Sequence, residues 1–385
     1  MKRTVGWCAM LAATLWVQTA VAVPAARAEG EWETTPQSEE ALRRGLDWLA
    51  RNQEGPDWNW TSNDLGLVSM GALAFMAAGH SPGRGQYGQN VQQALDYVIR
   101  KAKKESGLLN IADGQRDMYN HGLSTFVLGQ AYGMTNDTDG RLTRTLDRAL
   151  KLIAQTQCSD GGWDYHAKPQ PNGHDLSLAV MQAKALRSAV DSGLEVPPEV
   201  IEMAIRSVRQ HYTPRGCSPG ASEEEQQKHE GQFTYSRGGG QATIAMAAAG
   251  VVCLQEFAQY DDWRIEKNMK VIGEAIREKA RPESRTPPFD AYTLYYVGQA
   301  LYQVGGNHWK THYPALRDSL VASQVRSPGR PDDGRWPQDH RVGGRPGELY
   351  MTSVACFVLA MPNRYLPILQ EGKIEAMKKQ VERKQ

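Results

Sequence analysis

Residues 141–189 read RLTRTLDRALKLIAQTQCSDGGWDYHAKPQPNGHDLSLAVMQAKALRSA. The segment holds two different helices joined by a loop. In the first, Leu142, Leu146, Leu150 and Ile153 recur at helical spacing, with Arg141, Arg144, Asp147, Arg148 and Lys151 around them. That is an amphipathic helix with one apolar stripe. The loop is Gln157-Cys158-Ser159-Asp160-Gly161-Gly162-Trp163-Asp164-Tyr165. His174-Asp175 then opens an apolar helix running to about Ala189.

The unit recurs along the chain. Charged amphipathic helices are expected to begin near residues 38, 91, 142, 198, 262 and 312. Their apolar partners are expected near 64, 119, 175, 241, 290 and 349. The repeat is about 50–65 residues, longer than tetratricopeptide or ankyrin units. The stretches 65–78, 122–134, 241–254, 291–305 and 350–360 contain no charged residue. Only the third partner helix breaks this pattern, with Lys184 and Arg187. Helices this short do not span a bilayer, and a helix apolar all round must be buried all round. The pattern predicts an all-α fold with uncharged helices inside and charged ones outside. Six such hairpins form either an open solenoid or a closed double ring. No polar capping repeat is visible, which favours closure.

The loops repeat as well. Gly161-Gly162-Trp163, Gly231-Gln232-Phe233 and Gly334-Arg335-Trp336 share Gly-x-aromatic, and Gly107-Leu108-Leu109 is an aliphatic version. The first copy has Asp57-Trp58-Asn59-Trp60, and the fifth departs with Pro287-Pro288-Phe289. Glycine permits a tight turn, and the large side chain fills the gap between hairpins. Gln53, Gln157 and Gln324 precede these loops and are expected to bond free helix-end groups.

Gln157-x-x-Asp160-Gly161-Gly162-Trp163 resembles the QW-type repeat of terpenoid cyclases and protein prenyltransferase β-subunits, and the likeness extends over roughly 38–370. The resemblance implies an α/α toroid of about six hairpins, with a cavity at the mouth of the inner ring and an apolar or isoprenoid-like ligand. Squalene-hopene cyclases are similar but carry two such domains. The family's catalytic signatures are missing. The nearest string to Asp-x-Asp-Asp is Asp137-Thr138-Asp139-Gly140, which lacks the last acid and follows an inner helix. Asp290-Ala291-Tyr292 lacks the cysteine of the prenyltransferase zinc site, and no Gly-Cys-Gly-Glu-Gln thioester string occurs.

In a closed ring the N-termini of the inner helices line one mouth. Six strings fall there: Asn63-Asp64, Tyr119-Asn120-His121, His174-Asp175, Tyr235-Ser236-Arg237, Asp290 with Tyr292, and Glu348 with Tyr350. Asp64, Asp175 and Asp290 also suit helix N-caps. Asp175 and Asp290 are the expected acids, with His121 and Tyr119 as further catalytic candidates. His174, Tyr235, Arg237, Tyr292, Glu348 and Tyr350 are the expected ligand contacts. His121, His174 and Asp175 are ligand types for a metal, but their spacing is no motif, so neither metal nor cofactor is expected. Six-hairpin toroids also host polysaccharide lyases and glycosidases. Tyr119-x-His121 resembles the lyases' acid and base, and Asp290 with Asp175 or Glu348 resembles a glycosidase pair. A non-catalytic binding or scaffold protein is the third reading.

The ends and composition set the context. Lys2 and Arg3, an uncharged apolar stretch over 5–23, and the small-residue sites Ala20-Val21-Ala22 and Ala26-Arg27-Ala28 read as a secretory signal cleaved after Ala28. Export to the periplasm or beyond is therefore expected, with membrane association only through an uncleaved signal. Residues 29–370 read as one domain, and 371–385 as a charged solvated tail. Across the chain 44 Lys+Arg oppose 43 Asp+Glu, which argues against a nucleic-acid partner. Cys158, Cys217, Cys253 and Cys356 follow the signal, in no Cys-x-x-Cys motif. Export permits bridges, and buried free thiols are the alternative. The insert 213–240 carries Glu223-Glu224-Glu225 and Gly238-Gly239-Gly240 and is expected to be a lid or edge loop.

Overall fold

The structure, a computed structural model, describes residues 32–112, 114–218, 220–337 and 347–370. The expected signal over 1–28 and tail over 371–385 lie outside them. The helices are α1 (Pro36–Arg51), α2 (Leu65–Ala77), α3 (Gly88–Lys101), α4 (Asp117–Tyr132), α5 (Arg141–Gln155), α6 (Leu176–Asp191) and α7 (Pro198–Gln210). They continue with α8 (Glu223–Lys228), α9 (Ile244–Glu256), α10 (Arg264–Lys279), α11 (Ala291–Val304), α12 (Gly306–Ser323) and α13 (Gly347–Ala360). The fold is all-α apart from a small antiparallel pair, β1 (Tyr212–Pro214) and β2 (Gly231–Phe233), with Tyr212 opposite Phe233.

Helix α2 packs on α4, α4 on α6, α6 on α9, α9 on α11, α11 on α13, and α13 back on α2. The charged helices lie against this set. Thus α5 touches α4 and α6, α7 touches α6 and α9, α10 touches α9 and α11, and α1 touches α13 and α2. Burial follows the sequence pattern: α2 buries every residue except Leu67, whereas α5 buries only one face. The three aspartates expected as caps are caps. Asp64 accepts from Leu67 N at 3.4 Å, Asp175 from Ser177 N at 2.8 Å and Asp290 from Thr293 N at 3.0 Å.

The loop motif is a joint with two bonding devices. Trp60, Trp163 and Trp336 are buried, and each indole N–H donates to a carbonyl in the last turn of the preceding charged helix: Leu49, Ile153 and Leu320. Carbonyls of a last turn have no backbone N–H partner within the helix. The glutamines act differently from expectation. Gln53 donates to Trp58 O and Asn90 O, Gln157 to Gly161 O and Val200 O, and Gln324 to Gly334 O and Ala41 O. Each therefore ties its own loop to the next charged helix. For Gln324 that next helix is α1.

Glycine is required at two of these joints. A Cβ on Gly161 (φ +87°) would lie 2.1 Å from Met203 O, and one on Gly334 (φ +96°) would lie 2.3 Å from Arg44 O. Gly161→Ala combines a left-handed backbone with a clash against backbone rather than a flexible tip. It is expected to destabilise by about 3 kcal/mol or more, read as a shift in the denaturant midpoint at unchanged slope. A loss below about 1 kcal/mol would show that the joint gives way.

All four cysteines of the described residues are free thiols, and Cys158, Cys253 and Cys356 are buried. The insert 213–240 is structured by β1, α8 and β2. No helix of the described residues is long and apolar enough to cross a membrane.

Candidate functional site

The N-terminal ends of the uncharged helices converge on a cavity of about 1020 Å³. Asp64 and Leu67 come from the start of α2, Tyr119, Asn120 and Leu123 from α4, and Met181 from α6. Tyr292 comes from α11 and Tyr350 from α13. At α9 the wall is supplied instead by Tyr235, from the insert just before that helix. The loop after α5 adds Asp164, Tyr165, His166 and His174, and Arg116 stands at the rim. Arg116 pairs with Asp64 at 2.9 Å.

One wall is a connected hydrogen-bond network around Asp175. Its Oδ1 accepts from Ser177 N and Ser177 Oγ. Its Oδ2 accepts from Tyr165 OH at 2.7 Å and from His174 Nδ1 at 3.0 Å. The Tyr165 hydroxyl also bonds the Tyr235 hydroxyl, and Tyr119 OH bonds Ser177 Oγ. The rings meet edge to face: Tyr165 and His174 are 4.5 Å apart between centroids at 63°. Asp175 fixes the rotation of His174. An Nδ1–H directed at a carboxylate leaves Nε2 as the accepting nitrogen, and the His174 side chain is half exposed while that of Asp175 is enclosed.

The phenols are held in their protonated form. Burial raises Tyr119 and Tyr165, with the Asp175 charge adding to it. Tyr235 is pushed up to about 12 by burial and by its hydrogen bonding with Asp175. Burial also raises Tyr292 well above the ordinary range. The cavity therefore presents protonated phenols beside the His174 imidazole. That pairing can move a proton from one side of a ligand and return it on another.

Of the ten expected site residues, the structure brings Tyr119, His174, Tyr235, Tyr292 and Tyr350 to the cavity wall. The others lie elsewhere. Asp175 sits behind the wall and positions His174 and Tyr165. Asp290 is a helix cap, bonded to Thr293 N and to Thr293 Oγ1 at 2.7 Å. His121 is wholly buried on the side of α4 facing α5. It accepts from Leu109 N at 3.1 Å and its Nε2 bonds Ala149 O at 2.9 Å. Arg237 pairs with Asp160 and donates to Gly173 O, clamping the insert to the loop that carries His174. Glu348 pairs with Arg335 at 3.2 Å. With Asp290 a cap, Asp175 enclosed and Glu348 paired with Arg335, the glycosidase pair expected from sequence does not face the cavity; the acids in its wall are Asp64 and Asp164. Among the described residues no group of three or more His, Cys, Asp or Glu is placed to hold a metal ion.

Tyr165 was missed from sequence. It stands two residues beyond the repeat tryptophan, in a loop with no helical phase. The available signal was the polar, aromatic run Asp164-Tyr165-His166. No family model matches the chain, and no curated protein matches it.

Proposed function

We propose that this chain is an exported α/α toroid of the terpenoid cyclase and prenyltransferase repeat type, and that its cavity binds a sugar and acts on it by proton transfer. The cyclic order of helix contacts and the link from Gln324 to Ala41 support the toroid. The observation that carries the ligand class is the wall itself: His174, oriented by Asp175, opening among tyrosines whose hydroxyls are hydrogen-bond donors. Flat rings with polar tips match a pyranose, which has an apolar face and a rim of hydroxyls. A glycan containing uronate suits the chemistry. His174 Nε2 takes the proton beside the carboxylate, that electron pair forms the new double bond, and the glycosidic oxygen leaves with a proton from a phenol such as Tyr235.

The test is incubation with uronate-containing and neutral oligosaccharides, following the ultraviolet absorbance of an unsaturated product and binding by calorimetry. His174→Ala is expected to lower turnover by about 10²-fold or more while binding changes by less than tenfold. Equal turnover in the variant would remove His174 from the chemistry.

A second reading keeps the ligand class that the resemblance implies. Leu67, Leu123 and Met181 give the cavity an apolar side beside the tyrosine rings, which suits an isoprenoid chain. Binding of squalene, with no binding of any sugar, would favour it. Binding of neither, with rim substitutions breaking a protein contact, would favour a scaffold.

A further inference from the structure

Lys184 stands with Arg187 as an exception in the largely uncharged layer, and it is wholly buried. It lies three residues beyond Met181, which lines the cavity, and so about 4.5 Å further along α6. Its Nζ donates to Gln299 Oε1 on α11 and to Glu256 Oε1 at the end of α9, the latter at 3.1 Å. Glu256 Oε1 also accepts from Gln303 Nε2 at 2.7 Å. The ammonium lies 4.4 Å from the Phe126 ring centroid and 5.8 Å from that of Tyr295. Phe126 is one turn past cavity-lining Leu123, and Tyr295 is one turn past cavity-lining Tyr292. In the cyclic order of contacts α6 and α11 are not neighbours, so the Lys184–Gln299 bond crosses the interior. Beyond it the far end is covered by the chain's last described turn, where Ile368 N donates to Gln130 Oε1 at 3.0 Å.

Stability does not explain this arrangement. A buried ion pair replaced by apolar side chains of similar volume is often as stable or more so, and an apolar plug is what the neighbouring residues would make. We infer that Lys184, held by Glu256 and Gln299, is the floor of the cavity and limits how long a ligand the site accepts. The ligand rests on the sugar-binding reading above, whereas the floor is a geometric claim with its own measurement.

The test uses two double variants, each removing both charges. Lys184→Ala with Glu256→Ala opens the interior, and Lys184→Met with Glu256→Leu keeps it filled. Crystal structures are expected to show the cavity continuing past Met181 in the first and ending there in the second. Should the opened pair not fold, Lys184→Ser with Glu256→Gln, which leaves a partner for Gln303, takes its place. Binding is then measured with alkyl glucosides from methyl to octyl. In the wild type and the filled variant, affinity is expected to stop rising after the first few carbons. In the opened variant it is expected to keep rising, by up to about fourfold per methylene. A cavity still ending at Met181 in a folded, opened variant overturns the proposal. So does a tail-length profile unchanged from wild type when the methyl glucoside binds all three proteins alike. If no glucoside binds any of them, the sugar reading fails, and the crystal structures still decide the floor.

Discussion

Lowering the pH from 7 to 4 is expected to cost the fold about 3 kcal/mol through His121, with a similar loss through His211. Burial pushes His121 down to about 4, against the opposing effect of its bond to Ala149 O. Its two nitrogens are committed as one acceptor and one donor, so a second ring proton would meet the Leu109 N–H. His211 is also pushed to about 4, first by burial and then by the nearby Arg237 charge. Both folded values lie below the ordinary 6.5. Above about pH 6.5 neither state binds the extra proton, and the full stability is present. As the pH falls from 6.5 to 4 the unfolded chain takes up a proton that the native state refuses. Stability then drops by about 1.4 kcal/mol per pH unit for each histidine. Urea unfolding at half-unit pH intervals measures this slope. His121→Gln is expected to be less stable at pH 7 and to fall more gently on acidification. Parallel curves for the two proteins would refute the assignment.

Trp163→Ala is expected to cost about 3–5 kcal/mol. The side chain is fully buried, and its N–H satisfies Ile153 O at 2.9 Å. Its removal empties the joint between two hairpins and leaves that carbonyl only the longer bond from Thr156 Oγ1 at 3.3 Å. Trp58 is the control, being 51% exposed in the equivalent loop of the first hairpin. Trp58→Ala is expected to stay within about 0.5 kcal/mol of wild type. Denaturant unfolding of the two variants checks the contrast, and comparable losses would mean that burial at the joint is not what the repeat tryptophan provides.

The alternation of charged and uncharged helices was readable because it is a consequence of burial on all sides, and eleven of the twelve expected starts fall within three residues of those observed; α12 begins at Gly306, six residues before its expected start. The Gly-x-Trp joints were readable for a related reason: few other residues fit a left-handed turn against a neighbouring backbone. What sequence did not separate was the facing of adjacent residues at each helix start. Tyr119 and Asn120 turn to the cavity, while His121, about 100° further round α4, turns to α5. His174 and Asp175 are separated in another way: they precede α6 on extended backbone, where adjacent side chains point to opposite sides, so His174 is in the wall and Asp175 behind it. The short strand pair in the insert escaped notice because three residues carry no period. Lys184 and Arg187 were visible as exceptions in an uncharged helix; Asp191 pairs with Arg187 one turn along α6, but only the fold places Glu256 and Gln299 around Lys184.

The bond from Gln324 to Ala41 bears on how the molecule comes apart. In an open stack of repeats the outermost units have one neighbour each, so unfolding begins there and travels inward. Here α13 rests on both α1 and α2, Gln324 holds α1, and Glu33 near the start pairs with Arg364 near the finish at 2.9 Å. Neither terminal hairpin is a weak edge. Among the described residues the first and last hairpins each have packed neighbours, so opening either one breaks contacts with the other as well as its own.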